Sequence, residues 1–472
     1  MTDRTLDPRV AILAHVGNGN MGDEAIVAAV IQNLRRRVPH AELYAITAQP
    51  ADTRQRHGVP AYAVRPGSLD RRMADDSDGA EGRERATAGG DHPRRLKRVL
   101  QHVPGAVRAV RALRRVAQDV WGIPGQLAFL ISSFRLLRGT DLLIVAGSAQ
   151  LMDYWGGPWA FPFTLFKWSL LARIHGARLA FVSIGAGPLT TRTGKALIRR
   201  CLTWADYRSY REQSSRDLIR RLNVPGHHHL VPDLVFTLDW PDTYASRERD
   251  EPVVVGINPM PLFDGDYWPE ADRKVYEQYL TTLAQFADWL IELRYAVSFF
   301  PTQLRVDPSA IDAIRSRMRH VVKDGSRSEQ TIHSLEDLCS YLQRVDLVVA
   351  TRYHGTLFPF LLGKPVLSIA YQPKTRDLMR LMGQEEYVID FARLELRVLQ
   401  ERFQALTRRE GEFKRNVEDR VRAVKEQVEG QYDQLLALIG VISSGPDGAR
   451  PPQRTGRARA SNRGPSGAPG ES

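Results

Sequence analysis

Thr351-Arg352-Tyr353-His354-Gly355-Thr356 decides the reading of this 472-residue chain. Asp346 and the apolar run Leu347-Val348-Val349-Ala350 lead into it, the pattern of a buried strand in a parallel sheet. Gly355 to Leu362 reads as a helix closed by Gly363, and Lys364-Pro365-Val366-Leu367-Ser368-Ile369-Ala370 as the next strand. Arg352 and His354 therefore fall on a strand-to-helix turn, where open α/β sheets bind ligands beyond the carboxyl ends of their strands. A guanidinium, an imidazole and the free N–H groups of a helix start suit a phosphate or a carboxylate. The plainer alternative pairs Arg352 with a nearby acid and makes His354 a helix cap. For the hexapeptide alone the plainer alternative wins; the rest of the chain reverses the balance.

Upstream, the same design repeats. Val10-Ala11-Ile12-Leu13-Ala14 is a first buried strand, followed by the turn His15-Val16-Gly17-Asn18-Gly19-Asn20-Met21-Gly22-Asp23-Glu24 and a helix to Arg37. The glycines permit a tight turn and close approach of backbone to a ligand, and Asp23 and Glu24 suit the first helical turn. The turn is not read as a dinucleotide fingerprint, because Gly17, Gly19 and Gly22 are followed by the acids Asp23 and Glu24, nor as a P-loop, because no Gly-Lys-Ser/Thr follows. Ala41 to Ala48, Asp141 to Ser148 and Leu179-Ala180-Phe181-Val182-Ser183-Ile184-Gly185-Ala186-Gly187-Pro188 continue the rhythm of a doubly wound parallel sheet. Gln126 to Leu137 is apolar nearly all round and reads as a core helix. Ser214 is placed to cap a helix from Arg216 to Leu222, with Arg211 on the loop before it. His227-His228-His229 reads as an exposed turn.

A polar stretch from Asp239 to Glu251 reads as a linker, after which the rhythm restarts with Val253-Val254-Val255-Gly256-Ile257-Asn258-Pro259. The expected organisation is a first domain over 9–240, a second over 251–390 carrying the Arg-x-His turn, helices over 391–442 and a disordered tail over 445–472. Within the first domain, 67–92 reads as a disordered loop. The stretch 94–121 reads as a basic helix with Val107, Val110, Leu113, Val116 and Val120 on one side and Arg108, Arg111 and Arg115 opposite. That helix either packs on the domain with a solvated face or lies on an anionic inner leaflet.

Composition narrows the class. A hydrophobic fraction of 43% is that of a globular protein, and the two cysteines, Cys201 and Cys339, make neither a disulfide framework nor a zinc spacing. The net charge of +12 gathers in the stretch Arg94 to Arg138 and in the tail, and no nucleic-acid-binding signature accompanies it. The polar N-terminus lacks the apolar core of a signal peptide, and a cytoplasmic location, peripheral to the membrane at most, is expected. No carboxylate cluster has metal spacing, so neither a metal nor a cofactor is called for.

Four pieces together resemble the polysaccharide pyruvyl transferase family: Gly19-Asn20-Met21-Gly22-Asp23-Glu24-Ala25, Gly185-Ala186-Gly187-Pro188, Tyr210-Arg211-Glu212-Gln213-Ser214, and Thr351-Arg352-Tyr353-His354-Gly355 running on to Lys364-Pro365 and Tyr371-Gln372-Pro373-Lys374. The resemblance implies an α/β fold of two Rossmann-like, doubly wound domains facing across a cleft, as in glycosyltransferases of the B type (GT-B-like). It implies transfer of the enolpyruvyl skeleton of phosphoenolpyruvate onto a sugar, as a pyruvate ketal, with a glycan or lipid-linked oligosaccharide as acceptor. By the same implication the Arg-x-His turn holds the donor and Arg211 contributes from the first domain.

A dianionic donor needs fixed cations, which Arg211, Arg352 and Lys374 supply beside His354 and Gly355. His354 and Arg352 are the first catalytic candidates, with Asp23 as a second acid–base group across the cleft. Asn20, Gly22, Glu24, Gly187 and Asn258 line the expected acceptor side. Two departures from the family's pattern, Ala146-Gly147-Ser148 in place of a double glycine and the long insertion between Gly67 and Trp121, bear on the acceptor. A nucleotide-sugar glycosyltransferase on the same architecture and a non-catalytic polysaccharide-assembly adaptor are the competing functions.

Overall fold

A computed structural model describes residues 7–66, 125–240, 252–320 and 332–441. The expected loop 67–92, basic helix 94–121 and tail 445–472, and most of the expected linker, lie outside the described residues.

Among the described residues the first half builds a parallel sheet of seven strands: β1 (Arg9–Leu13), β2 (Glu42–Thr47), β3 (Ala61–Ala63), β4 (Leu142–Ala146), β5 (Arg178–Ile184), β6 (Tyr207–Tyr210) and β7 (His229–Leu230). Their order is β3-β2-β1-β4-β5-β6-β7. In β1, Val10 and Ile12 pack into one hydrophobic cluster and Ala11 and Leu13 into another. Both faces are covered, which is why the strand is apolar without alternation. The second half forms a parallel sheet of five, β8 (Val254–Asn258), β9 (Ala296–Phe299), β10 (Leu347–Ala350), β11 (Val366–Ala370) and β12 (Val388–Asp390), in the order β12-β11-β10-β8-β9. Each sheet reverses its winding direction once, between β1 and β4 in the first and between β8 and β10 in the second. Ligand crevices of open α/β sheets form at such reversals.

The two halves are joined by backbone. The Met21 N–H donates to Thr302 O (2.8 Å) and the Leu304 N–H to Gly19 O (2.8 Å), so the loop after β1 is seated on the loop after β9. The long C-terminal helix Glu410–Leu438 crosses back to the first half. Its buried Gln431 accepts from Tyr207 Oη (3.2 Å) and Ser209 Oγ, and donates to Ser183 Oγ (3.1 Å). Replacing Gln431 with Leu strands those hydroxyls in the core. An expected loss of about 1–3 kcal/mol follows, read as a lower denaturant midpoint.

Some local expectations change. The helix after β10 starts at Tyr353 and not at Gly355, with Arg352 as its N-cap residue at φ −78 and ψ 144. His354 and Gly355 therefore belong to the first helical turn. The helix after β6 spans Gln213–Arg220 with no side-chain cap, so Ser214 does not cap it; the Ser214 N–H donates instead to Asp377 Oδ2 (3.2 Å) from the other half. The helix over 125–136 is not a core helix. It packs on one side, through Phe129 against Trp168, and leaves Leu127, Ile131 and Phe134 exposed.

Candidate active site

The two crossover points face each other, and the expected site residues gather between them. Asn20 caps the helix Met21–Arg37: its Oδ1 accepts from the Gly22 N–H (3.0 Å) and the Asp23 N–H (3.4 Å). Gly22 is a point of close approach between the halves. A Cβ there would lie 1.8 Å from His354 Nδ1. Gly22→Ala must therefore displace the imidazole or part the loops. The expected result is a loss of about 1–3 kcal/mol in thermal unfolding together with loss of turnover.

His354 is lodged between the halves. It is 8% exposed, its Nδ1 faces Gly22, and its Nε2 lies 3.6 Å from Asp233 Oδ2, within ion-pair range but too long for a hydrogen bond. Nε2 has no hydrogen-bond partner among the described residues. Burial lowers the His354 pKa, partly offset by the Asp233 charge, so the imidazole is neutral at pH 7.

Asp233 follows β7 and is fully buried. It accepts from the Val235 N–H (3.1 Å) and from Arg211 Nη1 (3.2 Å). Burial alone would raise its carboxyl; His354, Arg211 and the Val235 amide together hold it below the ordinary value. Arg211 also donates through Nε to Glu212 Oε2 (2.7 Å), and its guanidinium lies 4.4 Å over the Tyr353 ring. Arg211 is thus a committed, buried cation at the end of β6, not a loop residue open to a donor on all sides. Gly185 makes room for it, since a Cβ there would be 3.0 Å from Nη2.

Arg352 is not a free guanidinium either. Its Nε donates to Asp307 Oδ1 (2.8 Å), and Nη2 reaches the same oxygen. Asp307 is fully buried and also accepts from the Thr302 and Gln303 amides at 3.0 and 2.8 Å. Burial opposes charge on Arg352, but Asp307 with Tyr267 and Tyr371 outweighs it and keeps the guanidinium protonated.

Among the described residues, the cleft cation that no carboxylate pairs with is Lys374. It lies in the field of Arg211, Arg352, Glu212 and Asp23, with its Nζ 5.8 Å from the Tyr371 ring centroid. No hydrogen bond or ion pair engages its ammonium among the described residues. Burial first, and then Arg211 and Arg352, lower its pKa to about 8. Facing it is Asp23, 6% exposed. Burial raises the Asp23 carboxyl to about 7, against the Ser148 hydroxyl that donates to it, with Glu24 and Asp233 adding to the rise. Ser148 is the second residue past β4 and holds φ at 56.

Other expected residues serve the frame. Glu24 turns away from the cleft: Oε1 accepts from the Gly17 N–H (2.8 Å) and Oε2 meets His57 Nε2 (2.8 Å). Gly187 packs on Leu218 at φ 96. Asn258, at the end of β8, donates through Nδ2 to Phe300 O (2.8 Å), and its Oδ1 has no hydrogen-bond partner among the described residues. Gly355 allows that contact, since a Cβ there would sit 1.9 Å from Asn258 Oδ1. The sequence reading missed Asp233, Asp307, Ser148 and the tyrosines Tyr267 and Tyr371. Each stands at or near a glycine or proline, as in Gly147-Ser148, Pro232-Asp233 and Asp307-Pro308, but such turns say nothing of the partner: Asp307 is 45 positions from the arginine it pairs with.

Two Rossmann-like domains that meet at their crossover points, with the ionisable groups gathered there, define a GT-B-like α/β protein. Solved structures of that architecture are similar over nearly the whole chain. A co-structure of S. aureus MnaA with UDP is 11% identical at a TM-score of 0.51, covering 93% of this chain and 99% of that one. A putative UDP-N-acetylglucosamine 2-epimerase from Listeria monocytogenes is 10% identical at a TM-score of 0.50, covering 91% and 98%. At such identities the likeness speaks for the fold alone. The sequence model described as polysaccharide pyruvyl transferase matches residues 20–373, and the chain belongs to that family of transferases. Among the described residues no helix is long and apolar enough to cross a membrane.

Proposed function

We propose that the chain moves the enolpyruvyl unit of phosphoenolpyruvate onto two hydroxyls of a sugar in a cell-surface polysaccharide or its lipid-linked precursor, forming a pyruvate ketal and releasing phosphate. The observation that carries this reading is one cleft holding an unmatched ammonium, Lys374, opposite a carboxyl that titrates near neutrality, Asp23. A dianionic donor supplies the counter-charge that Lys374 lacks, with the remaining N–H edge of Arg352 and the amides of the first turn after β10 beside it. Arg211 positions: paired with Asp233 and Glu212, it holds Asp233 beside His354.

Two proton transfers are needed. Asp23 in its protonated form delivers a proton to the vinyl carbon, which becomes a methyl group, while a sugar hydroxyl oxygen bonds to the adjacent carbon. Neutral His354 takes that hydroxyl's proton, and Asp233 stabilises the imidazolium that results. The adduct carries the carboxylate, methyl, sugar oxygen and phosphate on one carbon. The second hydroxyl then bonds to this carbon, the C–O bond to phosphate breaks, and the proton leaves with the phosphate. Donor binding with no metal added and phosphate release dependent on a glycoside acceptor are the test. Thermal stabilisation by a nucleotide-sugar and none by phosphoenolpyruvate would transfer the chain to the glycosyltransferase reading.

A further inference from the structure

A second group of cations lies outside this cleft. Arg65 follows β3 and His15 follows β1, both at the carboxyl end of the first sheet, and Lys167 projects from the helix Phe161–His175. Arg65 uses Nε on Thr164 Oγ1, and its guanidinium lies 6.0 Å from the Phe161 ring centroid. Lys167 Nζ donates once, to Val64 O (3.0 Å), and sits 4.3 Å from the Phe129 centroid and 5.0 Å from that of Trp168. The His15 ring meets Phe161 edge-on at 4.8 Å. No carboxylate pairs with any of the three among the described residues. Burial lowers Lys167 to about 8 and Arg65 to about 10, and it lowers His15 to about 4; Arg65 lowers Lys167 and His15 further. At pH 7 the group is therefore a guanidinium and an ammonium beside a neutral imidazole. Two like charges, half-buried on aromatic surface with no counter-ion, are stabilised by a bound anion.

What borders them is apolar and open to solvent. Trp159 is 67% exposed, Phe163 41%, Ile174 57%, and on the neighbouring helix over 125–136 Leu127 is 54% and Ile131 51% exposed. The two helices are packed together through Phe134 and His175, 4.3 Å between ring centroids, so these side chains belong to one region of surface. Exposed apolar side chains grouped on two adjoining helices in this way mark a contact site. An anion site edged by such a face fits a ligand with a phosphate head and a hydrocarbon tail.

We propose that Arg65 and Lys167, with His15 beside them, hold the phosphate of an amphiphilic acceptor, a glycan carried on a lipid diphosphate, while its hydrocarbon chain lies along the apolar face of the two helices. The inference rests on the transfer reading above and names the carrier of its acceptor. The head group is then fixed at the same end of the first sheet as Asp23 and Ser148, and the attached glycan extends toward the cleft.

The test uses the full chain, farnesyl diphosphate as probe, and intrinsic tryptophan fluorescence, with Trp159 and Trp168 as local reporters. The parent protein is expected to bind farnesyl diphosphate more tightly than either farnesol or inorganic pyrophosphate. Arg65→Gln and Lys167→Gln are each expected to weaken it at least tenfold, with Arg65→Lys recovering most of the loss and phosphoenolpyruvate binding unchanged in all three. Equal binding of farnesyl diphosphate by the parent and both glutamine variants overturns the subsite. So does farnesol binding as tightly as the diphosphate, which leaves only an apolar face, and so does a matching loss of phosphoenolpyruvate binding, which assigns these cations to the donor. Absence of phosphoenolpyruvate chemistry with farnesyl diphosphate binding intact overturns the transfer reading and leaves the anion subsite standing.

Discussion

Replacing Lys374 with Met is expected to weaken phosphoenolpyruvate binding by about tenfold to more than a hundredfold, the equivalent of one charge-assisted contact at ~1.5–3 kcal/mol. Lys374 is the cation in the cleft whose ammonium makes no hydrogen bond or ion pair among the described residues, so its loss breaks none. Its pH dependence is specific. Burial, Arg211 and Arg352 lower the ammonium to about 8, so kcat/KM for the donor should fall as pH rises through 8, where the bound charge is lost. Lys374→Arg should move that limb to higher pH. The stability sign runs the other way. The unfolded chain binds this proton up to about pH 10.4 and the folded chain only up to about 8, so the group opposes folding at neutral pH and its effect fades as pH rises between those values. Lys374→Met should therefore melt no lower than the parent at pH 7 while binding donor poorly. A variant that melts lower and loses binding in proportion would reduce Lys374 to a packing residue. Isothermal titration and thermal melts over pH 6.5–9.5 separate the two.

Asp23→Asn is expected to lower kcat by about 10²–10⁴, the usual worth of a positioned proton donor, with a much smaller change in donor affinity. A carboxyl raised by burial to about 7 is half protonated at working pH, unlike an exposed aspartate. Acting as the acid, it should make kcat fall as pH rises through 7. A kcat that instead rises through pH 7 would make Asp23 the base and leave the vinyl proton to His354. Stability gives an independent reading. The folded carboxyl keeps its proton up to about 7 and the unfolded one loses it near 4, so the parent should lose stability between those values. The loss is on the order of 4 kcal/mol at most. Asp23→Asn should flatten that slope. An unchanged slope in the variant would show that Asp23 is more solvated than its burial implies.

The roles of the charged residues illustrate what a linear sequence conceals. Arg352 and Arg211 sit in recognisable turns, and both were expected as open anion-binding forks. Folding gives each a carboxylate from a distant segment, Asp307 for one and Asp233 for the other. Arg352 thus takes the pairing that the plainer reading of its turn allowed for. The reason is general: a guanidinium buried as deeply as these two is too costly to keep without a carboxylate, and the partner comes from whichever loop the sheet order brings alongside. The same holds for Glu24, which stands next to Asp23 in sequence. One helical step turns it to Gly17 and His57, away from the cleft.

Much is nonetheless legible in the sequence itself. Apolar runs ending in glycine or in Arg-x-His marked the strands and the ends at which a site would form, because a parallel strand buried on both faces cannot alternate and its carboxyl end must turn sharply. From those turns came Asp23, Arg211, Arg352, His354 and Lys374, which the fold does gather. Tertiary structure alone decided which of them is unpaired and which carboxyl is held near neutrality. It also decided that Gln431 ties the last helix to the first sheet, and that the helix over 125–136 shows an apolar face to solvent. Charge state depends on burial and on neighbours tens to hundreds of positions away. Local composition carries neither, so those properties arise only when the two sheets are brought face to face.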